Sequence, residues 1–220
     1  PNEAITRAQM AIILDKIMKY QDKAKNTFSD LGDTWYTDAL LKANSAGVVV
    51  GDGLNLRPTD IVTRQEAVSM IGRAFGIEEV AGQPGFSDSK DISSWAVGYI
   101  NAFAKKGYIE GYNNLFNPRG ELSRAAAVTI IDKILEGFFS KPGSYSGKFD
   151  GNVLINSSDV SLKDAEIDGN LIIAPGVGEG EVSLDNVSVT GDILVRGGGD
   201  HSILFNRVTV KGSIIVKKVG

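Results

Sequence analysis

The sequence predicts a two-part α + β chain, an all-α repeat module over residues 1–140 followed by a small right-handed parallel β-helix over residues 141–220. Three observations predict it. The stretches Ile5-Thr6-Arg7-Ala8-Gln9, Val62-Thr63-Arg64-Gln65-Glu66 and Leu122-Ser123-Arg124-Ala125-Ala126 each set an apolar residue, a hydroxyl and an arginine at the mouth of an amphipathic segment. Between these stretches, the sequence from Trp35 to Arg64 and from Trp95 to Arg124 keeps one register without a gap, as internal repeats do. After Lys141-Pro142-Gly143-Ser144 the pattern becomes a glycine-punctuated, β-branched repeat of about 20 residues, the mark of stacked solenoid turns.

The amphipathic segments come first. Counted on from each arginine, the same offsets are apolar: Met10, Ile13, Leu14, Ile17 and Met18; Ala67, Met70, Ile71, Ala74 and Phe75; Ala127, Ile130, Ile131, Ile134 and Leu135. That spacing lays one apolar stripe along a helix. Thr6, Thr63 and Ser123 are the natural N-caps, since a side-chain oxygen there satisfies an orphan N–H of the first turn. Gln9 and Glu66 complete capping boxes; Ala126 leaves the third half made. Arg7, Arg64 and Arg124 are the odd residues, because a cation at a helix start opposes the macrodipole. Two readings explain them: pairing with a neighbouring carboxylate, or gripping a bound anion together with the helix N–H groups.

Two fuller units follow the first capped helix. One runs from Phe28-Ser29-Asp30 through Trp35, Gly47, Gly51 and Pro58, the other from Phe86-Ser87-Asp88 through Trp95, Gly107, Gly111 and Pro118. Trp35–Ala46 and Trp95–Lys106 read as a second helix per unit, ended by C′ glycines at Gly47 and Gly107. Residues 51–58 and 111–118 are turn-rich loops leading to the next cap.

These residues resemble the S-layer homology family. Trp95-Ala96, Gly107-Tyr108-Ile109-Glu110-Gly111, Phe116-Asn117-Pro118 and Ile5-Thr6-Arg7-Ala8 follow its pattern, and the resemblance covers residues 1 to 138. It implies a pseudo-threefold spindle of three repeats: residues 1–27 as the tail of a truncated repeat one, 28–80 as repeat two and 86–140 as repeat three. It also implies a non-covalent anchor on the Gram-positive cell wall, outside the cell. Such anchors bind a secondary cell-wall polysaccharide, often one bearing pyruvate ketals, in grooves between repeats where an arginine meets the sugar carboxylate. Carried across by position, the ligand-binding candidates are Arg7, Arg64 and Arg124, with Trp35 and Trp95 as groove aromatics. Gly51 and Gly111 would let backbone approach the ligand, or serve only the turn. Asp52 and Tyr112 are candidate partners of sugar hydroxyls. With its cap complete, Arg64 is expected to anchor the best site, while Ser123 and Ala126 put the third in doubt.

In the second half, Gly151, Gly169, Gly191 and Gly212 each precede a polar residue and a short apolar run, and alternating segments such as Ala165-Glu166-Ile167 lead into the later glycines. A β-sandwich is the alternative, but the constant glycine register favours stacking. The loops 175–180 and 197–199 are expected to bulge from one side between rungs. Glycoside hydrolysis needs two carboxylates facing one bond. Asp164, Glu166 and Asp168 alternate on one strand near Asp192, but the later rungs place Thr190 and Lys211 at the Asp168 position. His201, the one histidine, has no serine–aspartate or metal-ligand constellation around it. The expectation is therefore no enzyme, with an exported polysaccharide-active enzyme, its catalysis in the β-helix or outside this stretch of chain, as the alternative.

Composition bounds the rest. Of 220 residues, 42% are hydrophobic and 23% charged, values of a folded domain rather than a disordered chain. A net charge of -4 without any basic run argues against nucleic acid as a partner. Cysteine is absent, so there are no disulfides or thiolate metal sites, and no metal or cofactor is expected. No apolar run is long enough for a membrane span. The start at Pro1-Asn2-Glu3, in mid-repeat, reads as a processed piece of an exported protein. Self-association through the solenoid ends or the incomplete first repeat, as in a surface lattice, is a further reading.

Overall fold

In the computed structural model, which describes residues 2–218, every predicted cap forms. Thr6 Oγ1 accepts from Gln9 N (3.2 Å) while Gln9 Oε1 accepts from Thr6 N (2.9 Å), opening helix α1 (Arg7–Met18). Thr63 and Glu66 make the reciprocal box at the start of α3 (Arg64–Phe75). Ser123 Oγ accepts from Ala126 N at 3.2 Å and opens α5 (Arg124–Ile134) with half a box. The stripes face inward: all five predicted positions of α3 are buried, as are Met10, Leu14 and Met18 of α1 and Ala127, Ile130, Ile131 and Ile134 of α5. Leu135, expected on the third stripe, instead begins a strand.

The second helix of each unit is α2 (Thr37–Ser45) or α4 (Ser94–Lys105). Trp35 lies two residues ahead of α2 rather than opening it. Gly47 (φ 71) and Gly107 (φ 70) end these helices in the left-handed region, a backbone conformation that residues with a Cβ rarely adopt. Just before each cap the chain forms a short bridge to another copy. Ile5 N donates to Leu122 O (3.0 Å), Leu122 N to Val62 O (3.2 Å) and Val62 N to Ile5 O (2.9 Å), so the three copies close a ring. These three side chains are buried at its centre.

Contacts divide the chain into two units, residues 1–15 with 23–133, and residues 16–22 with 134–220. In the second unit the strands are β1 (Leu135–Phe139), β2 (Gly143–Phe149), β3 (Asn152–Ile155), β4 (Val160–Ile167), β5 (Leu171–Ile173), β6 (Val182–Val189), β7 (Ile193–Val195), β8 (Ile203–Val210) and β9 (Ile214–Val216). They stack into two sheets, β1-β3-β5-β7-β9 and β2-β4-β6-β8. Every neighbouring pair is parallel, which excludes the antiparallel sandwich. Val153, Leu162, Leu171, Leu184 and Ile193 are among the buried side chains between the sheets.

The glycine register has a steric cause. Cβ atoms on Gly169 and Gly191 would lie 2.7 Å from Gly151 C and from Gly169 O, so the corner stacks backbone on backbone. The polar residue after each glycine bonds the next rung: Asn152 Oδ1 accepts from Asn170 N (2.9 Å), Asn170 Oδ1 from Asp192 N (2.9 Å) and Asp192 Oδ1 from Ser213 N (2.7 Å).

One solenoid expectation changes, and the longer strands carry a bend besides. Asp164 (φ 48), Asn186 (φ 57) and Arg207 (φ 51) form a left-handed column that bends the longer strands. Asp164, Glu166 and Asp168 keep the expected alternation, outward against the inward Ala165 and Ile167, and the break comes just before them, where Lys163 and Asp164 are both outward. The loop at Pro175 does not merely bulge: Pro175–Val177 is a 3₁₀ turn whose Val177 enters the core. On the last rung, Ile214 (52% exposed) and Val216 (71% exposed) are uncovered. Pro1, Val219 and Gly220 lie outside the described residues.

Candidate functional site

The loops between the second helix and the next cap are built by an aspartate. Asp30 accepts from Leu56 N (3.0 Å) and Arg57 N (2.7 Å), and Asp88 from Phe116 N (2.9 Å) and Asn117 N (2.7 Å). This clamp holds Arg57 (φ 53) and Asn117 (φ 56) in the left-handed region, a strained backbone that needs outside support. Gly51 and Gly111 sit where a Cβ would run into Asn55 O or lie 2.8 Å from Leu115 O, so the loop's own closure demands glycine there.

Each loop receives an arginine from the preceding capped helix. Arg7 is 4% exposed and fully engaged: Nε donates to Leu56 O (3.0 Å), Nη2 to Val50 O (2.9 Å) and Nη1 to Glu66 Oε1 (2.9 Å). Arg64 repeats two of these bonds, to Phe116 O (2.8 Å) and Glu110 O (3.4 Å), and lies 5.0 Å over the Phe116 ring. It lacks the third because Ala126 stands where Glu66 stands, and among the described residues it forms no ion pair. Arg124 is exposed, its backbone N–H donating to Glu3 O (3.3 Å), and it too forms no ion pair among the described residues. Internal pairing thus accounts for Arg7, while Arg64 feels only the longer-range pull of Asp88 and Arg124 forms no ion pair among the described residues.

Glu66 is saturated. Oε2 accepts from Thr63 N (2.9 Å) and Oγ1 (2.8 Å), and Oε1 also accepts from Arg57 Nη2 (2.6 Å). Burial opposes its ionisation, but the Thr63 bonds and the charges of Arg7 and Arg57 outweigh that and hold the carboxyl below its ordinary range. Burial lowers the pKa of Arg7 and of Arg64, against the pull of Glu66 and Asp88.

Around Arg7 opens a groove of about 380 Å³, lined by Val50, Gly51, Asp52, Arg57, Glu66, Met70, Arg73 and Trp95. It brings together four sequence-derived candidates: Arg7, Gly51, Asp52 and Trp95. Trp95 is 46% exposed, so the ring forms a wall rather than core. Trp35 (73%) and Tyr112 (83%) are more exposed and lie outside this groove. Arg57 and Arg73 were missed. A signal existed for Arg73, since Lys16, Arg73 and Lys133 each stand nine residues after a cap arginine. Arg57 has no counterpart, Asn117 occupying its place.

On the solenoid, Asp164 accepts from Asn186 Nδ2 (2.6 Å), Asp168 from Thr190 Oγ1 (2.8 Å), and Glu166 pairs with Lys148 at 3.4 Å. His201 is exposed on a turn. Among the described residues, no cluster of three or more His, Cys, Asp or Glu is arranged for a metal ion.

Residues 27–68 and 85–128 match the S-layer homology domain family. This part of the chain is an S-layer homology region. A β-solenoid follows it, and the region places the chain outside the cell, at the wall. No helix of the described residues is long and apolar enough to cross a membrane. Similar proteins include an exoglucanase XynX of Acetivibrio thermocellus, 39% identical over 145 residues (62% of this chain, 13% of the relative). An amylopullulanase of Thermoanaerobacterium thermosulfurigenes is 39% identical over 145 residues (62% and 8%). The S-layer protein sap of Bacillus anthracis is 26% identical over 168 residues (74% and 20%). The chain thus spans a fifth or less of these relatives' lengths. The expectation of no enzyme is corrected by these matches, because relatives 39% identical to this chain over 145 residues are named as enzymes.

Proposed function

We propose that the S-layer homology unit attaches the protein to an anionic cell-wall polysaccharide. The carrying observation is the groove beside Arg7, which an exposed tryptophan and the cations Arg57 and Arg73 line together with the saturated Arg7–Glu66 pair. An indole face stacks on the apolar face of a sugar ring, and a guanidinium matches a carboxylate bidentately. Arg7 then holds the loop, while Arg73 and Arg57 meet the ligand's charge and Asp52 its hydroxyls. Arg64 with Gly111 and Tyr112 forms a weaker companion site of the same kind, and Arg124 and Trp35 are further candidates. The ring of cap bonds supports the pseudo-threefold spindle, and the strand–crossover–strand path favours a right-handed β-helix. Several weak sites on one unit gain durability through effective concentration.

Co-sedimentation with purified cell wall tests this. The chain should pellet with intact wall, less at high salt, and lose most binding to wall stripped of acidic groups. Arg73→Ala should weaken binding about ten- to hundredfold, the value of a charge-assisted hydrogen bond. Equal binding to intact and stripped wall would reject the anionic ligand.

The 39% identity to an exoglucanase and an amylopullulanase supports a second reading, in which the intact protein is an exported polysaccharide-active enzyme held at the wall by this unit. Reducing-sugar release from xylan, glucan and pullulan by the intact protein tests it, and inactivity on all three would reject it. Lattice formation through the uncovered rung at Ile214–Val216 is a third, read by light scattering against concentration.

A further inference from the structure

Among the described residues Arg73 forms no ion pair, whereas the other two cations of its groove, Arg7 and Arg57, share Glu66. Its guanidinium is placed by other means. Nη1 reaches Val48 O, just past α2, at 3.5 Å, the limit of a hydrogen bond. The group also lies 5.6 Å over the Tyr99 ring of α4. The Tyr99 hydroxyl bonds the side chains of both Arg73 and Glu79. A guanidinium only donates and a carboxylate only accepts, so the phenol's one proton goes to Glu79 and its oxygen accepts from Arg73. Burial and then the Glu79 charge outweigh Arg73 and raise the hydroxyl's pKa, so the proton stays in place.

Backbone contacts fix this chain of groups before any ligand arrives. The Tyr99 ring rests on α3 at Gly72, where a Cβ would lie 2.9 Å from Tyr99 Cε1. Glu79 in turn rests on α4 at Gly98, where a Cβ would lie 2.7 Å from Glu79 Cβ, and Val80 N donates to Gly98 O (3.1 Å). Asn101, 4% exposed, ties down the same stretch, its Nδ2 donating to Val80 O (3.1 Å) and Ala81 O (2.8 Å). Trp95 stands one turn before Tyr99, so one face of α4 carries both the aromatic wall of the groove and the support of its cation. The other copies lack the arrangement. Ala39 takes the place of Tyr99 on α2, Asp15 and Asp132 that of Gly72, and Lys16 and Lys133 that of Arg73, Lys133 being paired with Glu110 at 2.9 Å. We propose that Tyr99 is a positioning residue, holding the Arg73 guanidinium ready for the acid group of the ligand so that binding costs little side-chain freedom. This rests on the polysaccharide reading above, and it makes the Arg7 groove the strong site of the unit.

Tyr99→Phe keeps the ring on Gly72 and removes only the hydroxyl, so it tests the role without opening the helix contact. In the ligand-free chain, the NMR order parameter of the Arg73 Nε–H should fall in this variant toward that of the exposed Arg119, while that of the buried Arg7 stays as it was. A mere loosening of α3 against α4 would instead reach Arg7 through Glu66 and lower both. In co-sedimentation, Tyr99→Phe should weaken binding to intact wall about three- to tenfold, the worth of one hydrogen bond, and leave binding to stripped wall unchanged. With Arg73→Ala already present it should add no further loss. An unchanged Arg73 order parameter overturns the proposal, as does a loss of binding that is the same in both backgrounds. Equal binding of the wild-type chain to intact and stripped wall overturns the reading on which the proposal rests, and does so before any Tyr99 variant is compared.

Discussion

Glu66→Ala probes the centre of the groove. The substitution removes the capping-box acceptor of α3 and strands the Arg7 guanidinium, 4% exposed against 11% for Glu66. Losing a cap costs about 1 kcal/mol. Removing one partner of a buried pair costs about 3–5 kcal/mol, at the low end here because Arg7 keeps two carbonyl acceptors. The Arg57 contact adds little, since that side chain is 40% exposed. The total is about 4 kcal/mol. Both tryptophans, Trp35 and Trp95, belong to this unit, so urea unfolding followed by tryptophan fluorescence reports it alone. At a slope of about 2 kcal/mol/M the midpoint falls by about 2 M. Adding Arg7→Met should recover much of the loss by removing the stranded charge. A midpoint shift under about 0.5 M, or a double variant no better than Glu66→Ala alone, would show that the pair does not hold the groove.

Because the folded-state pKa of Glu66 lies below its unfolded value, its contribution is full at neutral pH and is lost as pH falls through that lowered pKa. Wild-type stability by the same assay should decline below about pH 4.3, and Glu66→Ala should flatten that decline. Gly191→Ala should unfold the β-helix by a few kcal/mol, read by far-UV circular dichroism, because the new Cβ would lie 2.7 Å from Gly169 O. Arg64→Ala should lower wall affinity more than Arg124→Ala, since Arg64 is held by two carbonyls and an aromatic face; equal or reversed losses in the pelleting assay would reject that order.

The local signals carried far. Hydroxyl caps, C′ glycines and the glycine corners of the solenoid were legible because each answers a constraint set within a few residues: an orphan N–H, a left-handed turn, a backbone approach. The Asp164 column was not, since an Asx residue in a strand pattern does not declare that it leaves the β region until its rung is stacked. Leu135 was misassigned for a related reason, as the stripe of α5 runs unbroken into β1 and nothing local marks the change. In the groove, the sequence pointed to Arg7 through its repeated position, and the fold showed the guanidinium already spent on Leu56, Val50 and Glu66. Arg73, nine residues further along each copy, was visible in the repeat but had no local chemistry to single it out.

By itself, then, the sequence determined the repeated helices, their caps, the change of period and the family resemblance, because all of these are written in spacings along one chain. Only the tertiary structure decided which arginine is buried and which faces solvent, that Trp95 and Arg73 share a groove with Arg7, and that Tyr99 lies against the Arg73 guanidinium. Those facts depend on which copy packs against which. Packing joins residues tens of positions apart, whose partners differ by single substitutions such as Glu66 against Ala126.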